Sequence, residues 1–186
     1  MKILLIGHGR MGRLVEQTAL SAGDQIGGVI DVGNLADLGT IGRVADVAID
    51  FSAPAALPAV ADYVRATGTP LLSGVTGLEA GQLAVFDELG RHAPVIHSAN
   101  YSLGIAVFRR ILGEVREVLG EFDVEIVETH HNQKADAPSG TAKLLLEAVD
   151  PARTALPVYG RQGVTGKRDR REIGVHALRG GTEAGT

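Results

Sequence analysis

Between Glu128 and Thr141 the chain reads Glu-Thr-His-His-Asn-Gln-Lys-Ala-Asp-Ala-Pro-Ser-Gly-Thr, the densest run of polar and titratable side chains in its 186 residues. Histidine titrates near neutral pH, and lysine donates a proton or pairs with a carboxylate. His130, His131 and Lys134 therefore suit acid–base work, such as that needed to reduce a C=N or C=C bond flanked by carboxylates. A metal site is disfavoured. Adjacent histidines in an extended segment point to opposite sides, no His-x-x-x-His spacing occurs, and the chain has no cysteine. Ser139-Gly140-Thr141 follows Pro138 and opens a helix, which offers backbone N–H groups and hydroxyls to an anion. For Ser139 alone, helix capping is the simpler reading.

A second constellation lies at the start of the chain. Gly7-His8-Gly9-Arg10-Met11-Gly12 is a Gly-x-Gly-x-x-Gly run placed where an apolar strand meets a helix. The first glycine permits the tight turn, the second removes the side chain where a pyrophosphate approaches, and the third lets helix and strand pack closely. A helix N-terminus then faces the phosphates. The run is answered by Asp31, 19 residues beyond Gly12, at the end of the second predicted strand. An acid there bonds the ribose hydroxyls of NAD and repels the extra phosphate of NADP. Val32, and not an arginine, follows it, so the sequence leans toward NADH over NADPH, although Arg10 or Arg13 could reach a phosphate. Two further loops, Ser73-Gly74-Val75-Thr76-Gly77 and Ser98-Ala99-Asn100-Tyr101-Ser102, follow predicted strands. In an open parallel sheet, ligands bind outside the carboxyl ends of strands, so these loops are expected at the nicotinamide end. Each alone is as readily an ordinary strand-to-helix turn.

The elements that must position these groups follow from periodicity. Over residues 2–97, short apolar runs alternate with longer stretches of helical period, the pattern of βαβ units. Strands are predicted at Lys2–Ile6, Gln25–Asp31, Val47–Phe51, Pro70–Ser73 and Pro94–His97. Each is nearly all apolar because a parallel sheet is covered on both faces. A helix is expected from Arg10 to Ala22, ending at Gly23, and another near Pro54 with Ser52 as its cap. Beyond residue 100 the pattern changes to a helix over Leu103–Leu119, a half-exposed strand over Phe122–Thr129, a helix over Ser139–Val149 and a last strand near Glu172–Leu178. We therefore expect α/β architecture: a Rossmann-like doubly wound parallel sheet over residues 1–100 for the dinucleotide, then an α+β substrate-binding and oligomerisation domain over 101–186. The chain closes on Gly180-Gly181-Thr182-Glu183-Ala184-Gly185-Thr186, and the strand at 172–178 needs a neighbour, so this second domain is expected to be incomplete at its C-terminus.

Composition narrows the function classes. A hydrophobic content of 45% with 22% charge fits a globular protein, and the lack of cysteine excludes disulfide scaffolds and thiolate nucleophiles. Gly7 breaks the first apolar run before it reaches signal-peptide length, and no stretch approaches a membrane span, so a cytoplasmic protein is expected. Residues 1–100 carry 6 Lys and Arg against 10 Asp and Glu, a poor nucleic-acid partner. Arg161, Lys167, Arg168, Arg170 and Arg171 form a basic cluster that either receives a small anion or lies in a solvated loop.

In this order, these residues resemble the dihydrodipicolinate reductase family of the diaminopimelate and lysine pathway. The resemblance runs through the Gly7–Gly12 loop, Asp50-Phe51-Ser52 with Pro54, Gly74-Val75-Thr76-Gly77, Ala99-Asn100-Tyr101-Ser102 and the block from His130 to Thr141. It implies reduction of a cyclic dicarboxylate by NADH or NADPH, with His130 as catalytic acid/base and Lys134 as proton donor. His131, Lys134, Ser139, Gly140 and Thr141 would hold the substrate. The cofactor would touch Gly7, His8, Gly9, Arg10, Met11, Gly12, Asp31, Gly74, Val75, Thr76, Ala99, Asn100 and Tyr101. The second domain's sheet would build a homotetramer. Gln133 stands where many members carry another histidine, and the family continues for several dozen residues past Thr186. Two other readings are a different Rossmann oxidoreductase acting on an amino-acid imine or carbonyl, and a non-catalytic NADH-binding module. The His130–Thr141 block argues against the first. The absence of an evident DNA-binding segment, together with an acid–base cluster that binding alone does not need, argues against the second.

Overall fold

β1 (Lys2–Ile6) is apolar from Ile3 to Ile6, where both of its faces are covered. In the computed structural model, which describes residues 1–186, Leu4 and Ile6 point to a core built by α2 (Leu57–Thr67) and α3 (Ala80–Leu89), with Val60, Tyr63, Val64 and Leu89 at its centre. Ile3 and Leu5 point the other way, to Ala19 of α1 (Arg10–Ser21). Around β1 runs a five-stranded parallel sheet in the order β2 (Gln25–Ile30), β1, β3 (Val47–Asp50), β4 (Leu71–Ser73), β5 (Val95–His97). This is the doubly wound arrangement expected from the sequence. The chain leaves β1 toward β2 on one side and toward β3 on the other, so the switch point lies at the carboxyl ends of β1 and β3.

Boundaries differ from expectation by a residue or two, and one cap differs in kind. Ser52 does not cap the helix after Pro54. A 3-10 turn, Pro54–Ala56, leads into α2, and the Ser52 hydroxyl instead donates to Asp50 at 2.6 Å. Asp50 is wholly buried, and a buried carboxylate takes the donors nearest to it.

Met1–Ala99 forms one unit and Asn100–Thr186 a second. The second holds α4 (Leu103–Val118), β6 (Val124–His130), α5 (Gly140–Val149), β7 (Leu156–Val158) and β8 (Glu172–Arg179), its strands in the parallel order β6-β8-β7. Val124, Ile126, Ile173 and Val175 turn one sheet face to Leu112 of α4 and to Leu146 and Val149 of α5. The neighbours that β8 was expected to lack are within the chain. β6 pairs along its whole length, and β7 lies between the helix over 139–149 and the last strand, where no strand was expected. A three-residue strand centred on Pro157 gives almost no strand signal. Proline is tolerated there because β7 pairs on one side only.

Candidate functional site

The Gly7–Gly12 loop is shaped by contacts that exclude side chains. Gly7 has φ +84°, its amide donates to the Ile30 carbonyl at 2.7 Å, and a Cβ there would stand 2.6 Å from the Ser52 nitrogen. A Cβ on Gly12 would collide with the Gly7 carbonyl oxygen, whereas one on Gly9 would meet open space. Gly9 caps α1 without a side-chain bond, and no acidic residue lies in the first turn. The loop thus leaves a helix N-terminus clear for a phosphate at the switch point. His8 stands 2.7 Å from Glu16, and Arg13 Nε donates to the His8 carbonyl at 3.3 Å, tying the loop to its helix. Arg10 and Met11 are exposed.

Asp31 follows directly on β2 and is exposed. Its carboxylate accepts from the Val32 amide at 2.8 Å, and its own amide donates to Asn34 at 2.7 Å. At the ends of β3 and β4, buried Asp50 accepts from the Ser52 amide (2.9 Å) and the Ser73 hydroxyl (3.3 Å), and its carbonyl accepts from the Gly74 amide (2.8 Å). Burial pushes the Asp50 carboxyl up, with the Ser52 and Ser73 bonds and the His97 charge working against it. Val75 is buried, and its carbonyl lies 3.0 Å from His97 Nε2, whose ring stacks on Phe86 at 4.4 Å. Sequence reasoning did not single out His97. A glycine at position 74 is required because a Cβ would run into the Phe51 ring. The donors, the open helix end and the acid at the β2 end fit a dinucleotide.

In the second unit, β6 ends on His130, and its parallel register with β8 sets Glu128 opposite Ala177 and His130 opposite Arg179. Glu128 is buried. Its Oε1 accepts from the Ser139 amide (3.0 Å) and Arg179 Nη2 (2.8 Å); its Oε2 accepts from Arg179 Nη1 (2.8 Å) and lies 2.5 Å from His130 Nδ1. Burial would raise the Glu128 carboxyl, but the bonds from Arg179, His130 and the Ser139 amide outweigh it and hold the group at about 2. Ser139 caps α5 by accepting from the Ala142 amide at 3.1 Å, as the capping reading expected. Thr141 accepts from Asn100 Nδ2 at 2.8 Å.

His130, Ser139, Thr141 and Asn100 line one cavity of about 490 Å³, with Ile126 and Phe108 on its apolar side. Asn100, expected beside the cofactor, thus stands with the residues expected at the substrate. Lys134 does not line this cavity, and its ammonium pairs with Asp136 at 2.6 Å. Nor do His131, whose Nδ1 accepts from the Gln133 amide at 3.2 Å, and Gly140. Arg179 Nη2 donates to the Asp136 carbonyl at 2.6 Å, so one guanidinium braces both Glu128 and the loop that carries Lys134. Sequence reasoning missed Glu128 and Arg179 as site residues. The basic cluster is largely committed to acids: Arg161 to Glu125 and Glu172, Arg168 to Asp123 and Glu125, and Arg171 to Asp169.

Gly7 and Gly12, which leave no room for a side chain, hold a helix N-terminus open at the switch point, and in the second unit a buried carboxylate stands beside His130. The first of these, in a doubly wound sheet with an acid at the end of β2, defines the class: a dinucleotide-binding α/β protein. Comparison with known families agrees. Residues 1–101 match the family model described as dihydrodipicolinate reductase, N-terminus, and residues 104–186 match the C-terminus model. The 4-hydroxy-tetrahydrodipicolinate reductase of Staphylococcus aureus is 39% identical over 197 residues, covering 100% of this chain and 80% of that protein. The Acinetobacter baumannii enzyme of the same name is 38% identical, with 98% and 76% covered. A solved structure of dipicolinate-bound dihydrodipicolinate reductase from Paenisporosarcina superposes with a TM-score of 0.65 at 20% identity, covering 97% of this chain and 78% of that one, a likeness of fold. The chain belongs to the dihydrodipicolinate reductase family, NAD(P)H-dependent oxidoreductases of lysine and diaminopimelate biosynthesis.

Proposed function

We propose that this chain reduces 4-hydroxy-tetrahydrodipicolinate to tetrahydrodipicolinate, with His130 as acid/base, Lys134 as proton donor, and His131, Ser139, Gly140 and Thr141 receiving the substrate carboxylates. One hydride and one proton are added and one water leaves. NAD(P)H supplies the hydride when bound. The observation that carries the reading is the cavity in which a histidine held by a carboxylate stands with the capped N-terminus of α5. The helix end and the Thr141 hydroxyl suit an anion, and His130 Nε2 is the ring nitrogen left for proton transfer. Lys134 carries its charge beside Asp136, and to deliver a proton its ammonium must leave that pair for the substrate.

For the cofactor, the cradle residues are Gly7, His8, Gly9, Arg10, Met11 and Gly12, with Asp31 at the ribose and Gly74, Val75, Thr76, Ala99 and Tyr101 toward the nicotinamide, while the Asn100 side chain bonds Thr141 in the second unit's cavity. The Asp31 carboxylate favours NADH over NADPH through charge. The finer assignments of a cytoplasmic homotetramer rest on two features. No helix is long and apolar enough to cross a membrane. The face of the second sheet turned away from α4 and α5 carries Val127 and Leu178, more than half exposed.

Replacing His130 or Lys134 with alanine tests the roles. Each variant should lose about 100-fold or more in kcat while binding NADH as the parent does, measured by steady-state kinetics and by NADH fluorescence titration. Turnover retained in either variant would remove that residue from the mechanism.

A further inference from the structure

Burying a carboxylate on a strand that pairs without it is costly, yet Glu128 is only 5% exposed and both of its oxygens are engaged. Its partners come from three elements: His130 from its own strand, Arg179 from β8, and the Ser139 amide at the start of α5. Arg179 further donates to the carbonyls of Leu178 (2.7 Å) and Asp136 (2.6 Å), which leaves the guanidinium little freedom to release Glu128. An ionised carboxylate only accepts hydrogen bonds. The proton in the 2.5 Å contact therefore belongs to His130 Nδ1, and the ring's other nitrogen, Nε2, faces Gly185 on the cavity wall, where a Cβ would come within 2.9 Å of it.

We propose that Glu128, clamped by Arg179, is a positioning residue for His130: it fixes the ring with Nδ1 protonated and Nε2 presented to the cavity. The proposal rests on the reading of His130 as the acid–base residue. Glu128 acts through that ring, because its oxygens are spent on protein donors. The same carboxylate thereby sets both the orientation of the ring and its tautomer. A residue needed only to join β6, β8 and α5 would do neither.

The test uses the full chain with ¹⁵N-labelled histidine, the His130 ring signals being assigned by their loss in His130→Gln. In the unsubstituted protein, without cofactor or substrate, the neutral ring should be the Nδ1–H tautomer. In Glu128→Gln the ring should become a mixture of tautomers. Its kcat should fall about 10- to 100-fold with KM for NADH within about twofold. An Nε2–H tautomer in the unsubstituted protein overturns the proposal even if Glu128→Gln does not fold. So does a Glu128→Gln enzyme whose ring keeps the single Nδ1–H tautomer, or whose kcat does not fall. If the unsubstituted protein fails to turn over 4-hydroxy-tetrahydrodipicolinate, the functional reading fails, and the ring spectra still decide the positioning.

Discussion

Glu125 and Glu128 sit on opposite faces of β6, and both carboxyls are held at about 2, far below the ordinary value of 4.5. For Glu125 the causes are bonds from Arg161 and His176, opposed by burial and aided by Arg168; for Glu128, donors outweigh burial. A carboxyl depressed on folding stabilises the fold fully above its unfolded value and loses that contribution as pH falls through the folded one. The melting temperature should therefore drop steeply between pH 4.5 and about 2, and Glu125→Gln should flatten part of that drop, as followed by circular dichroism at stepped pH. A flat profile over that range would contradict both pairings. At this scale, the polar block from Glu128 to Thr141 stood out because its residue types suit acid–base chemistry, whereas the separate roles of His130 and Lys134 came from the family resemblance. The Glu128–Arg179 pair was not legible, since its members lie 51 residues apart and meet only through the β6–β8 register.

Among the elements, the first turn of α1 is held by one close approach. A Cβ on Gly12 would strike the backbone oxygen of Gly7, and backbone cannot swing aside as a side chain can. Gly12→Ala should therefore weaken NADH binding by about 10-fold or more and lower the melting temperature, while Gly9→Ala, facing open space, should leave the melting temperature unchanged. Titration of each variant with NADH and a thermal melt would check this, and parental binding by Gly12→Ala would contradict the account of the loop. The five strands of the first sheet were readable as apolar runs because both faces are buried. β7 was not, because a short edge strand centred on a proline has neither alternation nor β propensity to display. Ser52 was misread as a cap for a related reason. Cap propensity is local, whereas the buried carboxylate of Asp50 that claims its hydroxyl is visible only in three dimensions.

For the molecule as a whole, division into a nucleotide unit and a second α/β unit follows from the change of pattern near residue 100, and both units have their own cores. The open face of the second sheet gives a prediction for assembly. Val127→Asp places a charge on the face that carries Leu178, and, on the proposed tetramer, light scattering after gel filtration should show a species smaller than the unsubstituted protein. A parental protein that elutes as a monomer would remove the tetramer. The reaction itself is tested by NADH oxidation, followed by absorbance, with freshly generated 4-hydroxy-tetrahydrodipicolinate. A reductase of this substrate should give rapid, substrate-dependent oxidation that His130→Ala abolishes. Tight NADH binding with no oxidation when that substrate is added would contradict the proposed reaction.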